Sequence, residues 1–214
     1  VGYMMGIDNQ CTSGSCEGST KSTSYSQAHS NTYNSTIKAV VDNWYKTNIQ
    51  ETGYSDKVAD VIYCNDRQVD TTYQTALGYG INVTGYMARY RVHTNKSPIL
   101  TCSQKNDAFT VDDTTNGNGA LTYPVGLITA DEVAMGGEVC NQNNSDYYLY
   151  AGQYYWTMSP SVFNSGFAGE WYVGFIDDEH RVFMIRGVRP VLSLKSNITV
   201  TGSGTQNDPW IVQN

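Results

Sequence analysis

Between Asn34 and Gln50 the apolar residues Ile37, Val40, Val41, Trp44 and Tyr45 recur at i, i+3, i+4, i+7 and i+8, one face of a helix with about 3.6 residues per turn. Ser35 or Asn34 can cap its start, because a short polar side chain accepts a hydrogen bond from a free N–H of the first turn. The helix is expected to run from Ser35 to about Asn48 and to end between Thr47 and Gln50, before Gly53. A second, shorter helix is expected over Asp56 to Ile62, where Val58, Val61 and Ile62 are placed on a common face.

The pattern then becomes polar. From 63 to 120 only Gly85-Tyr-Met-Ala-Arg-Tyr-Arg-Val92 reads as an ordered element, and Asn116-Gly-Asn-Gly119 is a turn signal. Leu121-Thr-Tyr-Pro-Val-Gly-Leu-Ile128 reads as a strand leading into a short helix. Thr129 and Glu132 have the spacing at which each side chain caps the other's backbone N–H.

From Tyr147 onward the period shortens to two. Trp171, Val173 and Phe175 alternate with Tyr172 and Gly174, and Arg181-Val-Phe-Met-Ile-Arg186 alternates again after the polar turn Asp177-Asp-Glu-His180. A hairpin is expected there. Gly187-Val-Arg-Pro-Val-Leu-Ser-Leu194 adds a strand, and Asn207-Asp-Pro-Trp-Ile-Val212 an edge strand. Arg189, between Val188 and Pro190, is expected to be partly buried in charged or hydrogen-bonded contact, since an unpaired buried guanidinium is costly.

Composition narrows the function classes. A chain of 214 residues that is 40% hydrophobic and 12% aromatic has material for a core, and with no repeat and no convincing linker one domain over 1–214 is the simpler reading. Thirteen Lys and Arg against twenty Asp and Glu give a charge of −7 with no basic run, so nucleic acid and anionic membranes are poor partners. No apolar run approaches the roughly 18–20 residues of a membrane span, so no membrane insertion is expected. Val1-Gly-Tyr-Met-Met lacks a basic-then-apolar signal pattern and is read as the start of a mature or excised domain. The Ser/Thr/Gly-rich first ~30 residues are placed in loops.

Seventeen tyrosines, few lysines and long Ser/Thr/Asn/Gly tracts favour a secreted or surface location. The five cysteines fit it as disulfides Cys11–Cys16 and Cys64–Cys102, all four beside small polar loop residues, with Cys140 left over; five reduced thiols are the alternative.

Three segments carry a resemblance: Leu121-Thr-Tyr-Pro-Val-Gly-Leu-Ile-Thr-Ala-Asp-Glu132, Tyr155-Trp-Thr-Met-Ser-Pro160 and Gly187-Val-Arg-Pro-Val-Leu-Ser-Leu-Lys-Ser-Asn197, the last followed by Thr201-Gly-Ser-Gly-Thr-Gln-Asn-Asp-Pro-Trp210. They resemble a family of surface-type domains from gut Firmicutes. The order Trp, Ser-Pro, Trp, Gly-Val-Arg-Pro-Val is also similar to the C-type-lectin-like fold in its formylglycine-generating-enzyme form. The variable proteins of diversity-generating retroelements use that fold, with Val188 here where they usually carry Phe. The resemblance implies an α+β, C-type-lectin-like domain with one or two helices, a C-terminal antiparallel sheet and variable residues displayed ahead of the closing motif. The enzyme form depends on a reactive cysteine pair near the C-terminus, whereas no cysteine here follows Cys140.

Other chemistry is sparse in the pattern. His29, His93 and His180 lie in segments without a recognisable nucleophile elbow. Asp112-Asp113 and Asp177-Asp-Glu179 offer hard oxygen ligands but lack the spacing of a dedicated calcium loop, and no Cys/His spacing suggests zinc. No catalytic residue, metal or cofactor is expected.

A display surface remains. Trp156, Trp171 and Val173 are assigned to the scaffold, and aromatics among Asn, Ser and Gly to a ligand surface of large contact area at small entropy cost. Its candidate residues are Phe163, Asn164, Phe167, Glu170, Tyr172, Phe175, Asp177, Asp178, His180, Arg181, Phe183 and Ile185. The expected function is extracellular recognition or adhesion, with a protein or glycan as ligand. A structural stalk or pilin-tip subunit is the alternative, ahead of an enzyme related to formylglycine-generating enzymes. A residual enzyme would pair His180 with Asp177 or Asp178 in a deep pocket.

Overall fold

The computed structural model describes residues 26, 29–32, 34–74, 84–137, 147, 149–150, 152–164, 167–173, 180–181, 186–205 and 207–213; in the strands at 163–164, 167–173 and 180–181 the backbone alone is described. Helix α1 spans Thr36–Tyr45 and continues as a wider turn over Lys46–Gln50. The Ser35 hydroxyl accepts the Lys38 N–H at 3.1 Å, the cap expected from sequence. Val41 and Tyr45 are buried and Ile37 and Trp44 pack beside them, but Val40 is half exposed. At about 100° of turn per residue, the buried arc is centred on Lys38, Val41 and Tyr45. It leaves Val40 outside, and Lys38 is neutralised within it by Asp42 at 2.5 Å.

The short helix expected over Asp56 to Ile62 is absent. A single tight turn, Ser55–Lys57, leads into strand β1, Val58–Ala59, and then into β2, Tyr63–Cys64. Val58 is buried while Ile62 is 43% exposed, so these residues do not share a helix face. β-Branched side chains in an uncapped segment this short favour extended backbone.

Strand β3, Val69–Gln74, also departs from expectation. It lacks apolar alternation, and buried Asp70 is satisfied by the N–H and hydroxyl of Thr72. The element foreseen at 85–92 is composite: β4, Thr84–Tyr86, then helix α2, Met87–Arg89, and a wider turn over Tyr90–Asn95. Strand β5, Ala108–Phe109, pairs antiparallel with β2.

Residues 121–128 form no strand. Pro124 has no N–H to give a ladder, and only Gly126 makes a bridge, exchanging two backbone hydrogen bonds with Val191 at 3.0 and 2.9 Å. A Cβ on Gly126 would lie 2.5 Å from the Tyr63 ring, so glycine allows this close approach. Leu121, Val125, Leu127 and Ile128 are nonetheless buried. Helix α3, Ala130–Met135, follows with the expected reciprocal cap: the Thr129 hydroxyl accepts the Glu132 N–H at 3.1 Å, and the Glu132 carboxylate accepts the Thr129 N–H at 2.8 Å.

The C-terminal region is antiparallel sheet, as expected. Strands β6, Tyr155–Asn164, β7, Phe167–Val173, and β8, His180–Arg181, join β3 and β4 in a five-stranded sheet of order β3-β4-β6-β7-β8. Every residue of β6 from Tyr155 to Val162 is buried, the mark of a strand covered on both faces. Trp156 and Met158 enter one apolar cluster with Val41, Tyr45, Tyr63 and Phe109; Tyr155 enters a second with Val92, Ile128, Val133 and Tyr147. Pro160 is tolerated in this central strand because the β6–β7 register shifts on both sides of it.

The strand expected over 187–194 is reduced to bridges at Gly187 and Val191 and to β9, Ser193–Leu194, which pairs with β1. Pro190 interrupts it by lacking an N–H. Arg189 donates to the Leu149 carbonyl at 2.7 Å and stacks 4.7 Å over the Tyr155 ring, the hydrogen-bonded contact expected for it. The expected closing edge strand shortens to β11, Ile211–Val212, paired with β10, Val200–Thr201. The chain is thus mixed helix and sheet of α+β type.

Candidate functional site: strands β6 to β8 and the cavity beside the disulfide

Seven of the proposed ligand residues fall on described backbone. Phe163 and Asn164 end β6, opposite Ala168 and Phe167 of β7; Tyr172 lies opposite Trp156 at the other end of that pair. Glu170 lies opposite His180, and Gly169 opposite Arg181. Of the hairpin expected around 171–186, the described residues show an antiparallel pair, β7–β8, but it joins 169–170 to 180–181, so His180, expected in the turn, lies in a strand. Residues 174–179 and 182–185 lie outside the described residues, and β8 is one edge of the described sheet. Phe175, Asp177, Asp178, Phe183 and Ile185 lie outside the described residues, as do Cys11, Cys16 and Cys140. The scaffold assignment of Trp156 agrees with its burial; the side chains of Trp171 and Val173 are not described.

Cys64 and Cys102 form the expected disulfide, with Cα atoms 5.5 Å apart. It lines a cavity of about 730 Å³ together with apolar Val61, Ile62, Ile99, Leu100, Leu127 and Val191, and with charged Asp66, Lys105, Asp131 and Glu132.

Two buried ion-pair groups, the second of which contributes Asp66 and Asp131 to this lining, were not expected from the sequence. In the first, Arg67 and Asp107 are both fully buried; Asp107 accepts the Arg67 Nε at 2.8 Å and the Arg67 backbone N–H at 2.6 Å. Arg67 also donates to Asn31 at 2.7 Å, and the His29 ring nitrogen meets the Arg67 carbonyl at 3.0 Å. In the second, Arg91 grips both oxygens of Asp131, at 2.8 and 2.7 Å, and also bonds Asp66. Asp131 further accepts the Ile99 N–H at 3.0 Å.

One guanidinium here serves two carboxylates. Burial raises the Asp66 pKa above the ordinary carboxylate value, outweighing the opposing pull of Arg91, and Asp131 and Asp107 add to the rise. Burial also works against the Arg91 charge, but its bonds to Asp131 and Asp66 hold it protonated. Asp66 sits at φ +44°, a left-handed conformation that Asp tolerates better than most residues. Its Oδ1 is buried and finds no hydrogen-bond partner among the described residues. The only local signal for this arrangement was charge beside a cysteine, Cys64-Asn-Asp-Arg67, in a chain with few charges.

The acidic pair Asp112-Asp113 has a structural use. Asp60 accepts the N–H groups of Val111, Asp112 and Asp113, and Asp113 accepts those of Thr115 and Asn116. Bonds from Asn116 and Thr115 hold the Asp113 carboxyl below its usual range. Among the described residues no group of three or more His, Cys, Asp and Glu is placed to hold a metal ion, and no helix is long and apolar enough to cross a membrane. Compared with protein-family models, with curated proteins and with solved structures, the chain gives no significant match.

Proposed function

We propose that the chain is an extracellular ligand-recognition domain, for binding or adhesion, that displays residues 163–186 on a C-type-lectin-like scaffold of the kind used by diversity-generating retroelement variable proteins; Val162, 3% exposed, belongs to the core and not to this surface. The observation that carries the reading is the course of β6: it is buried through Val162, and the proposed ligand set begins at the next residue and continues through β7 to β8. A strand fixed on both faces makes a rigid base for contact residues, which lowers the entropy lost on binding. The Cys64–Cys102 disulfide supports an oxidising compartment.

The test is a triple replacement of Tyr172, Arg181 and Phe183 by Ala. Exposed positions cost under about 0.5 kcal/mol each, so the melting temperature is expected to stay close to that of the parent. Binding to a partner captured by glycan array or cell pull-down is expected to fall sharply, as when aromatic and Arg hot spots are lost. Core positions predict the reverse, at roughly 3–5 kcal/mol for each truncated aromatic. An unfolded triple variant contradicts display, and a stable one that binds like the parent contradicts this choice of surface.

A further inference from the structure

We propose that the cavity beside the Cys64–Cys102 disulfide is a second binding site, specific for a primary alkylammonium group received by the carboxylate of Asp66. The site lies apart from the residue set assigned to display and does not depend on that assignment. Asp66 lines the cavity and is only 4% exposed, and its Oδ1 has no hydrogen-bond partner among the described residues. An ionised carboxylate oxygen only accepts hydrogen bonds, and leaving it buried and unmet is costly.

The missing partner is a cation rather than a neutral donor because the charges beside Asp66 do not balance. Among the described residues Arg67 is matched by Asp107, whereas Arg91 is the one cation paired with both Asp131 and Asp66. With both carboxylates ionised, that group carries one excess negative charge. Lys105, the one Lys or Arg among the described residues that line the cavity, donates instead to the Thr114 carbonyl at 2.7 Å. The other two acidic side chains of the lining are already engaged: Asp131 binds Arg91 through both oxygens, and Glu132 caps α3. One buried, unmet carboxylate oxygen is far from the six or more oxygens that calcium takes, but it supplies an acceptor for one N–H of an ammonium group.

The remaining walls select an alkyl chain. Val61, Ile99 and Leu127 line the interior, and Ile62 and Leu100, 43% and 71% exposed, extend the apolar surface to solvent. A volume of about 730 Å³ lies within the usual range for small-molecule sites. The receptor is also fixed in place, since Cys64 is tied to Cys102 and the backbone N–H of Arg67 to Asp107. Burial holds Asp66 towards its protonated form, and an incoming cation would offset that penalty.

Calorimetric titration of the whole chain at neutral pH with n-pentylammonium tests the site, with n-pentanol and pentanoate as neutral and anionic controls. The ammonium is expected to bind at least about tenfold more tightly than either control, the scale of one charge-assisted hydrogen bond. Asp66→Asn should remove that preference. Ile62→Arg, which brings a competing guanidinium to the exposed edge of the lining, should weaken ammonium binding whether or not the Asn variant folds. Nα-acetyl-lysine methylamide distinguishes the source: tighter binding of this probe than of pentylammonium assigns the site to a protein lysine, and the reverse to a free amine. An ammonium bound no better than pentanol, or undiminished binding in either variant that folds, overturns the proposal.

Discussion

Arg67→Met is expected to lower unfolding free energy by about 3–5 kcal/mol, the cost of leaving one partner of a buried pair uncompensated. Arg67 and Asp107 are both 0% exposed, so no water compensates the stranded carboxylate. The replacement also removes the bond to the Asn31 side-chain oxygen, leaving Asn31 held by its amide bonds to Asn106. Met preserves much of the apolar stem and its packing near Phe109, which isolates the loss of charge. The double variant Arg67→Met, Asp107→Leu should recover part of the loss, because it removes both charges but leaves the Arg67 N–H without the acceptor it has now. Urea unfolding with an unchanged slope checks this. A loss under about 1 kcal/mol for the single variant would show that the pair is not buried as described.

Removing the Cys64–Cys102 disulfide is expected to cost about 2–5 kcal/mol, since it constrains a long loop in the unfolded chain. The two residues are 38 apart in sequence. For a chain of this size each kcal/mol lowers the melting temperature by roughly 2–4 °C, so a reductant or the Cys64→Ser, Cys102→Ser variant should melt measurably earlier. Peptide mapping under non-reducing conditions should recover the two cysteines linked. Free thiols at both positions, or Cys140 joined to either, would contradict the pairing and weaken the extracellular reading with it.

What could be read from sequence was local. The Ser35 cap and the Thr129–Glu132 reciprocal cap are each made within three residues, a distance over which backbone geometry fixes the partners. The antiparallel sheet expected in the C-terminal third is present as β6–β7–β8, although β6 is buried from Tyr155 to Val162 instead of alternating. The buried ion pairs were illegible because Arg67 finds Asp107, and Arg91 finds Asp131, across 40 residues, and nothing in either neighbourhood names the other. The strand expected over 121–128 does not form because apolar content does not by itself supply a pairing partner; Leu121, Val125 and Leu127 are buried without a ladder. β6 held the opposite surprise: Thr157, Ser159 and Ser161 are buried although hydropathy marks them as polar. Ser159 accepts the Ala130 N–H at 2.9 Å, which helps explain how a hydroxyl can occupy this interior.

For the candidate sites the division follows the same physics. The display set lies within one continuous stretch, whose side-chain chemistry the sequence exhibits directly. The cavity is assembled from segments near 61–66, 99–105, 127–132 and 191–193, and only folding brings them together. A net charge of −7 was visible from the start and is compatible with a cationic ligand, but it does not say where that ligand would sit.

The central claim, that residues 163–186 present side chains to a ligand, is tested most directly by hydroxyl-radical footprinting with mass spectrometry, because the chain carries its own standards. Tyr54 and Tyr154 are 38% and 45% exposed, whereas Tyr86 and Tyr45 are 0% and 2% exposed. The account predicts that Tyr172 is oxidised at a rate close to that of Tyr54 and Tyr154. Protection of Tyr172 to the level of Tyr86 and Tyr45 would make it part of the core and contradict the account.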